Sequence, residues 1–223
     1  MQDEIEKVLS MLLSKKTGTT GSGRTDTGVH ALQQFFHFDT EEPIDRIKMT
    51  YKLNAILPSD IAIENIFSVR PESHARFDAV KRSYIYRISR HKNPFLSRLT
   101  YSFYASLDMG LMNNACEKLL GEKDFKCFSK VKTEVNNFIC NVMEAKWVEE
   151  EGELKFHITA NRFLRGMVRA IVGTLFLVGS EKITIEDFEN IILSKDRKKA
   201  GRAVPPEGLY LSAVIYPDHI YTI

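Results

Sequence analysis

Cysteine is scarce: Cys116, Cys127 and Cys140 are an odd number, and no two stand as C-x-x-C. That argues against a disulfide framework and fits reduced thiols in a soluble, cytoplasmic protein. No Cys/His group has the spacing of zinc ligands, so no metal is expected. Long apolar runs are missing too, and with them a bilayer-spanning helix. The opening MQDEIEKVLSMLLSKK carries too many charges for a signal peptide. Net charge is nearly absent, since 31 Lys and Arg against 29 Asp and Glu leave +2. No global basicity points to nucleic acid, so an RNA-binding surface would have to come from local clustering. Two such clusters exist: Lys81, Arg82, Arg87, Arg90 and Lys92, then Lys195, Arg197, Lys198, Lys199 and Arg202. Each, taken alone, reads as a solvated face. There is no G-x-S-x-G string for a hydrolase triad, no internal repeat and no low-complexity tract.

What is present is an ordinary globular composition, 43% hydrophobic and 27% charged over 223 residues, enough for a real core. Ile5, Val8, Leu9, Leu12 and Leu13 have helical spacing and predict a helix over 1–16. QQFFHF (33–38), DIAIENIFSV (60–69) and YSFYAS (101–106) predict strands. Pro43 suits the first turn of a helix that ends before Pro58. Pro71 divides the chain into an N-terminal half, 1–70, and a C-terminal half, 71–223. SYIYRIS (83–89) puts Tyr84, Tyr86 and Ile88 on one strand face. Asp108 is an N-cap for a helix that Gly121 ends. A strand with Ile139, Asn141, Met143, Ala145 and Trp147 on one face turns through EEEGE into another with Leu154, Phe156 and Ile158, a hairpin. RFLRGMVRAIVGTLFLVG (162–179) predicts the strongest helix, with Arg162, Arg165 and Arg169 aligned away from its apolar stripe. Thr184 and Asp187 form a capping box with Asp in place of Glu or Gln. GLYLSAVIY (208–216) is a final strand. Strands interleaved with helices indicate an α+β fold with a mixed or antiparallel sheet.

GSGRTDTGVH, residues 21–30, concentrates the candidate chemistry. As a phosphate loop, Gly18–Thr25 fits G-x-x-x-x-G-K-[ST] only with Arg24 in place of lysine, and an aromatic strand follows where a helix should. As an aspartic protease dimer, Asp26-Thr27-Gly28 has the signature string, but that dyad needs two carboxylates sharing a proton, with no arginine nearby. A third reading is an aspartate kept charged by arginines on a loop aimed at a ligand, and a fourth is a turn-stabilising Asp. His30 reads as structural.

Four further segments decide between these. HARFDAVKRSYIYRI (74–88), GEKDFKCF (121–128), NRFLRGMVRAIVGTL (161–175) and AGRAVPPEGLYLSAVIYP (200–217) follow GRTDTGVH in order. Together the five blocks resemble the tRNA pseudouridine synthase A family over nearly the whole chain. The resemblance implies a pseudouridine synthase fold: two sheet-and-helix halves forming a long mixed sheet, with the active site in a central cleft. It implies isomerisation of uridine to pseudouridine in the anticodon stem-loop of tRNA, at positions 38, 39 and 40, by a homodimer without cofactor. Asp26 matches the catalytic aspartate, Arg169 the arginine that pairs with it bidentately, and Tyr84 the tyrosine that stacks on the uracil. Arg24 matches the arginine that enters the RNA in place of the flipped base, and Leu209 an apolar contact on the uracil. Arg162 and Arg165 suit the RNA backbone.

The family pattern opens with a strand carrying Y-D-G-x-x-F/Y-x-G-x-Q, whereas this sequence begins inside the helix that follows it. The expectation is a gap or an unpaired edge in the first half's sheet. It carries an alternative function, a tRNA-binding remnant without catalysis.

Overall fold

Helices and strands alternate along the chain in a computed structural model that describes residues 1–130 and 137–222. In order they are α1 (Gln2–Leu12), β1 (Thr20–Gly21), β2 (His30–Ala31), β3 (Phe36–His37), α2 (Arg46–Ile56), β4 (Lys81–Ser89) and β5 (Tyr101–Ser102). Then follow α3 (Met109–Glu117), β6 (Gly121–Asp124), β7 (Ile139–Glu150), β8 (Glu153–Ala160), α4 (Met167–Gly179), α5 (Ile185–Ser194) and β9 (Leu209–Ile215).

These elements form two compact units, and neither is one run of chain. The first is residues 1–24, 34–79 and 216–223; the second is 25–33 and 80–215. This differs from the expected halves 1–70 and 71–223. Residues 25–33 join the second unit because β2 pairs in parallel with β9, His30 opposite Tyr210 and Ala31 opposite Leu211. The C-terminal residues join the first through a bridge between Val69 and Tyr221 and a hydrogen bond from the Tyr216 hydroxyl to the Ala75 carbonyl, 2.5 Å.

In the first unit Ile5, Val8 and Leu9 of α1 pack on Met49 and Leu53 of α2, with Leu57. Asp45 caps α2 by accepting from the Lys48 N–H at 3.0 Å. β1 and β3 pair antiparallel. The strand expected over 33–38 shrinks to Phe36–His37, because Gln33 is used in the second unit, where its side chain accepts from the Val214 N–H at 2.9 Å. The strand expected over 60–69 is absent. There the Asn54 amide bonds both the N–H and the carbonyl of Ile63, at 2.7 and 2.8 Å, satisfying the backbone in place of a neighbouring strand.

The second unit is built on a mixed sheet in the order β2-β9-β4-β8-β7-β6, with β5 beside β4. Tyr86, Ile88, Trp147, Leu154, Phe156 and Ile158 supply its buried face, against which α3, α4 and α5 pack. The inward face of β7 is not the one that strict alternation predicts. Cys140 and Val142 are buried while Ile139 and Met143 are exposed. A register shift between Val142 and Glu144 then turns Trp147 inward, as a bulge does when it inserts one residue. α3 ends at Glu117, short of Gly121, which opens β6 with φ +88°.

α4 begins at Met167 and not at Arg162. Gly166 before it has φ +73°, a left-handed conformation that interrupts any helix. α4 is buried nearly all round, and at one point backbone meets backbone. A Cβ on Gly173 would lie 1.9 Å from the Arg202 carbonyl oxygen. The facing Gly201 donates its N–H to Thr174 Oγ1 at 2.9 Å. Two glycines thus let residues 200–204 lie directly on the helix. The Thr184–Asp187 capping box forms as expected at the start of α5. All three cysteines are free and buried, and burial pushes their thiols up, to about 12 for Cys116 and Cys127 and about 11 for Cys140.

Candidate active site

Asp26 opens a β-turn whose fourth residue, Val29, donates its N–H back to the Asp26 carbonyl at 3.1 Å. Its third residue, Gly28, has φ +83°, the left-handed value that a type II turn takes there and that favours glycine. Pro206 lies 3.1 Å from where a Cβ on Gly28 would be, so glycine is also needed for space. The turn then enters β2, where the His30 ring stacks on Tyr210 with centroids 4.7 Å apart. His30 Nε2 bonds to the Arg98 carbonyl at 2.8 Å, so this histidine anchors the loop.

The Asp26 side chain is 26% exposed, and its two oxygens have different neighbours. Oδ2 accepts from Arg169 Nη1 at 2.9 Å. The same guanidinium gives its Nε–H to the Val204 carbonyl at 2.6 Å, while the Val204 N–H donates to the Arg169 carbonyl at 3.1 Å. Arg169 therefore does not make the bidentate fork expected from sequence, because one arm of the fork is taken by Val204. Oδ1 faces Arg165 Nε at 3.7 Å, an ion-pair distance too long for a hydrogen bond. Arg165 is 61% exposed against 20% for Arg169. Arg162 turns elsewhere, toward Asn137 at 3.5 Å. The three arginines are not a row on one helix face, since only Arg169 is helical.

Tyr84 sits in β4 opposite Ile158 and Leu211, at a register shift between β4 and β9. Its half-buried ring meets Phe163 edge-on, centroids 5.1 Å apart. Burial pushes its hydroxyl up to about 12; Arg82 pulls the other way and the Asp26 carboxylate adds to the rise. Tyr86, on the same strand face, is wholly buried, donates to the Pro205 carbonyl at 2.9 Å and packs beneath Gly208. The two tyrosines thus divide, one core and one at the surface of the site. Leu209 is buried at the head of β9, opposite Tyr86. Arg24 is exposed and belongs to the first unit, at the point where the chain passes into the second.

The basic runs are partly committed within the second unit. Arg87 makes a bidentate pair with Glu153, at 2.8 and 2.7 Å, and Arg197 Nη1 bonds the Ala200 and Gly201 carbonyls. Sequence reasoning missed the Val204 carbonyl and Phe163. The only sequence signal for the former is the pair Gly173 and Gly201. Among the described residues no group of three or more His, Cys, Asp or Glu is placed to hold a metal. An aspartate flanked by two guanidiniums, with a half-buried aromatic ring nearby, is equipped for nucleophilic or proton-transfer work on an anionic ligand. It is not the carboxylate pair of an aspartic protease.

Comparisons with known proteins bear on this site. A family model described as tRNA pseudouridine synthase matches residues 115–217. The chain is 46% identical over 224 residues to the tRNA pseudouridine synthase A of Parabacteroides distasonis, an overlap of 100% of this chain and 89% of that relative. It is 44% identical to that of Bacteroides thetaiotaomicron, over 100% of this chain and 84% of the relative. With the Bacillus subtilis protein of the same description it shares 40% identity over 98% of this chain and 90% of the relative.

Proposed function

From the premise that this chain belongs to the tRNA pseudouridine synthase A family, we propose that it isomerises uridine to pseudouridine in the anticodon stem-loop of tRNA, at positions 38, 39 and 40, with Asp26 as the reacting carboxylate. The observation that carries the assignment is the Asp26–Arg169 contact of 2.9 Å, held from behind by Val204. The reaction breaks the bond between N1 of uracil and C1′ of the ribose. The base turns over, C5 bonds to C1′, the proton on C5 is lost and N1 gains one. Atoms and electrons balance without a co-reactant.

In this reading Arg169 fixes Oδ2 and leaves Oδ1 as the oxygen that reacts. A base leaves its stack to reach such a group, and the Tyr84 ring is the platform it stacks on. Leu209 gives the uracil an apolar neighbour. Arg162 and Arg165 bind phosphates, and Arg24 takes the place of the extruded base, where a planar guanidinium can stack. The reading extends to a homodimer in the cytoplasm. Two chains would add their local basic patches, which suits a net charge of only +2 per chain.

The test is conversion of an anticodon stem-loop RNA carrying a target uridine, with pseudouridine mapped along it. The parent converts it and Asp26→Asn does not. Conversion by Asp26→Asn would remove Asp26 from the chemistry. Salt-sensitive binding without conversion by the parent would favour a tRNA-binding remnant.

A further inference from the structure

Away from Asp26, the segment Arg90–Ser106 carries basic and aromatic side chains and no acidic one. Its tip is a short turn of 3-10 helix, Pro94–Leu96, and its backbone is fixed. Asn93 accepts from the Phe95 N–H at 3.0 Å with its side chain and from the Leu96 N–H at 3.2 Å with its carbonyl. The Thr100 N–H donates to the Leu96 carbonyl at 3.2 Å, and β5 then pairs with β4. On this ordered loop Phe95 is 90% exposed and Tyr104 is 59% exposed. Phe95 gains almost nothing from burial and Tyr104 keeps more than half its surface in water, and neither belongs to the core.

Beside the loop lies an open cleft of about 450 Å³, lined by Lys92, Asn93, Pro94, Ser97, Ser102 and Tyr104. The size suits a small ligand. The lining gives its class: a phenol ring to stack on a base, an ammonium for a phosphate, and an amide and two hydroxyls for sugar and base edges. The loop is also tied to the elements that hold Asp26. His30 bonds the Arg98 carbonyl, and the Tyr210 hydroxyl donates to the Leu99 carbonyl at 2.6 Å. Asp26 is only four residues before His30.

We propose that this cleft is a second RNA-binding site, which takes one unpaired nucleotide of the tRNA whose uridine reacts at Asp26. The identity of that RNA rests on the function proposed above; the nucleotide chemistry of the cleft does not. Tyr104 stacks on the base, Lys92 meets the adjoining phosphate, and Phe95 offers a second face to a neighbouring base.

The experiment measures affinity for tRNA and for free uridine monophosphate with the parent, Lys92→Ala and Tyr104→Ala. Both side chains are exposed, so the variants should melt with the parent. Loss of one stacked base raises the dissociation constant for tRNA about 5- to 150-fold in Tyr104→Ala. Lys92→Ala binds more weakly and loses about 0.7 from the slope of log K against log salt. On the unmutated chain, RNA carrying a photoreactive uridine crosslinks to the peptide containing Tyr104. Unchanged tRNA affinity in both variants overturns the proposal. So does loss of uridine monophosphate binding with tRNA affinity intact, which would make the cleft a free-nucleotide site. Conversion is read separately with Asp26→Asn; if that variant kept conversion, the catalytic assignment would fall and the cleft would stand.

Discussion

Replacing Arg169 tests the core of the catalytic reading, because its guanidinium has two separate duties. Nη1 holds Asp26 Oδ2 and Nε holds the Val204 carbonyl. Arg169→Ala removes both and leaves a three-quarters buried carboxylate without its close partner. A hydrogen bond to a charged group contributes about 1.5–3 kcal/mol. Tenfold in rate is about 1.4 kcal/mol, so the chemical step should slow roughly 10- to 150-fold. Breaking a fully buried pair can cost about 3–5 kcal/mol, but Asp26 and Arg169 keep 26% and 20% exposure, so the lower range applies. Arg169→Lys keeps the charge but has one nitrogen where arginine uses two. It should fall between parent and alanine. The assay is single-turnover pseudouridine formation with enzyme in excess over stem-loop RNA, which separates chemistry from product release. A lysine variant as fast as the parent would show that charge alone suffices and that the Val204 clamp is irrelevant. An alanine variant slowed less than about threefold would refute the pairing as a catalytic device.

Gly173→Ala places a methyl 1.9 Å from the Arg202 carbonyl, so residues 201–204 must move or the helix must shift. Overpacking of this kind costs about 1–3 kcal/mol. The urea midpoint should drop and activity should fall with it, because Val204 moves away from Arg169; an unchanged midpoint would refute the backbone contact. His157 predicts the acid limb of stability. Burial lowers its pKa below the ordinary 6.5, so between that value and the folded one the unfolded chain binds more protons. Stability then falls as pH drops through this window, and His157→Gln should lose part of that slope in urea melts between about pH 7 and 5.

The fold was most legible where local signals agree with packing. The Asp108 N-cap, the Thr184 capping box and the β7–β8 hairpin all form as their sequences indicate. Failures occur where one residue breaks a period. The bulge in β7 reverses which alternate residues face the core, and nothing in ICNVMEAKW marks Met143 as the inserted position. The aromatic stretch after β2 reads as one strand, but the residues from 30 to 37 split between two pairings, with β9 and with β1. Periodicity describes a strand's faces and is silent about its partner.

The site is a sharper case of the same limit. Arginines at 162, 165 and 169 have helical spacing, and on a continuous helix they would share one environment. Gly166 in the left-handed region ends that regularity. Arg169 stays on a rigid buried helix, fixed by a carbonyl that reaches it only because Gly173 and Gly201 have no side chains. Arg165 lies outside the helix, more than half exposed, at 3.7 Å from the other carboxylate oxygen. The result is an aspartate with one committed oxygen and one loosely guarded oxygen. A carboxylate bound tightly at both oxygens would be well oriented and poorly reactive, and one bound at neither would be free to turn. The junction between loop and helix avoids both, and it depends on three glycines whose sequence context says only that the chain bends or approaches closely there.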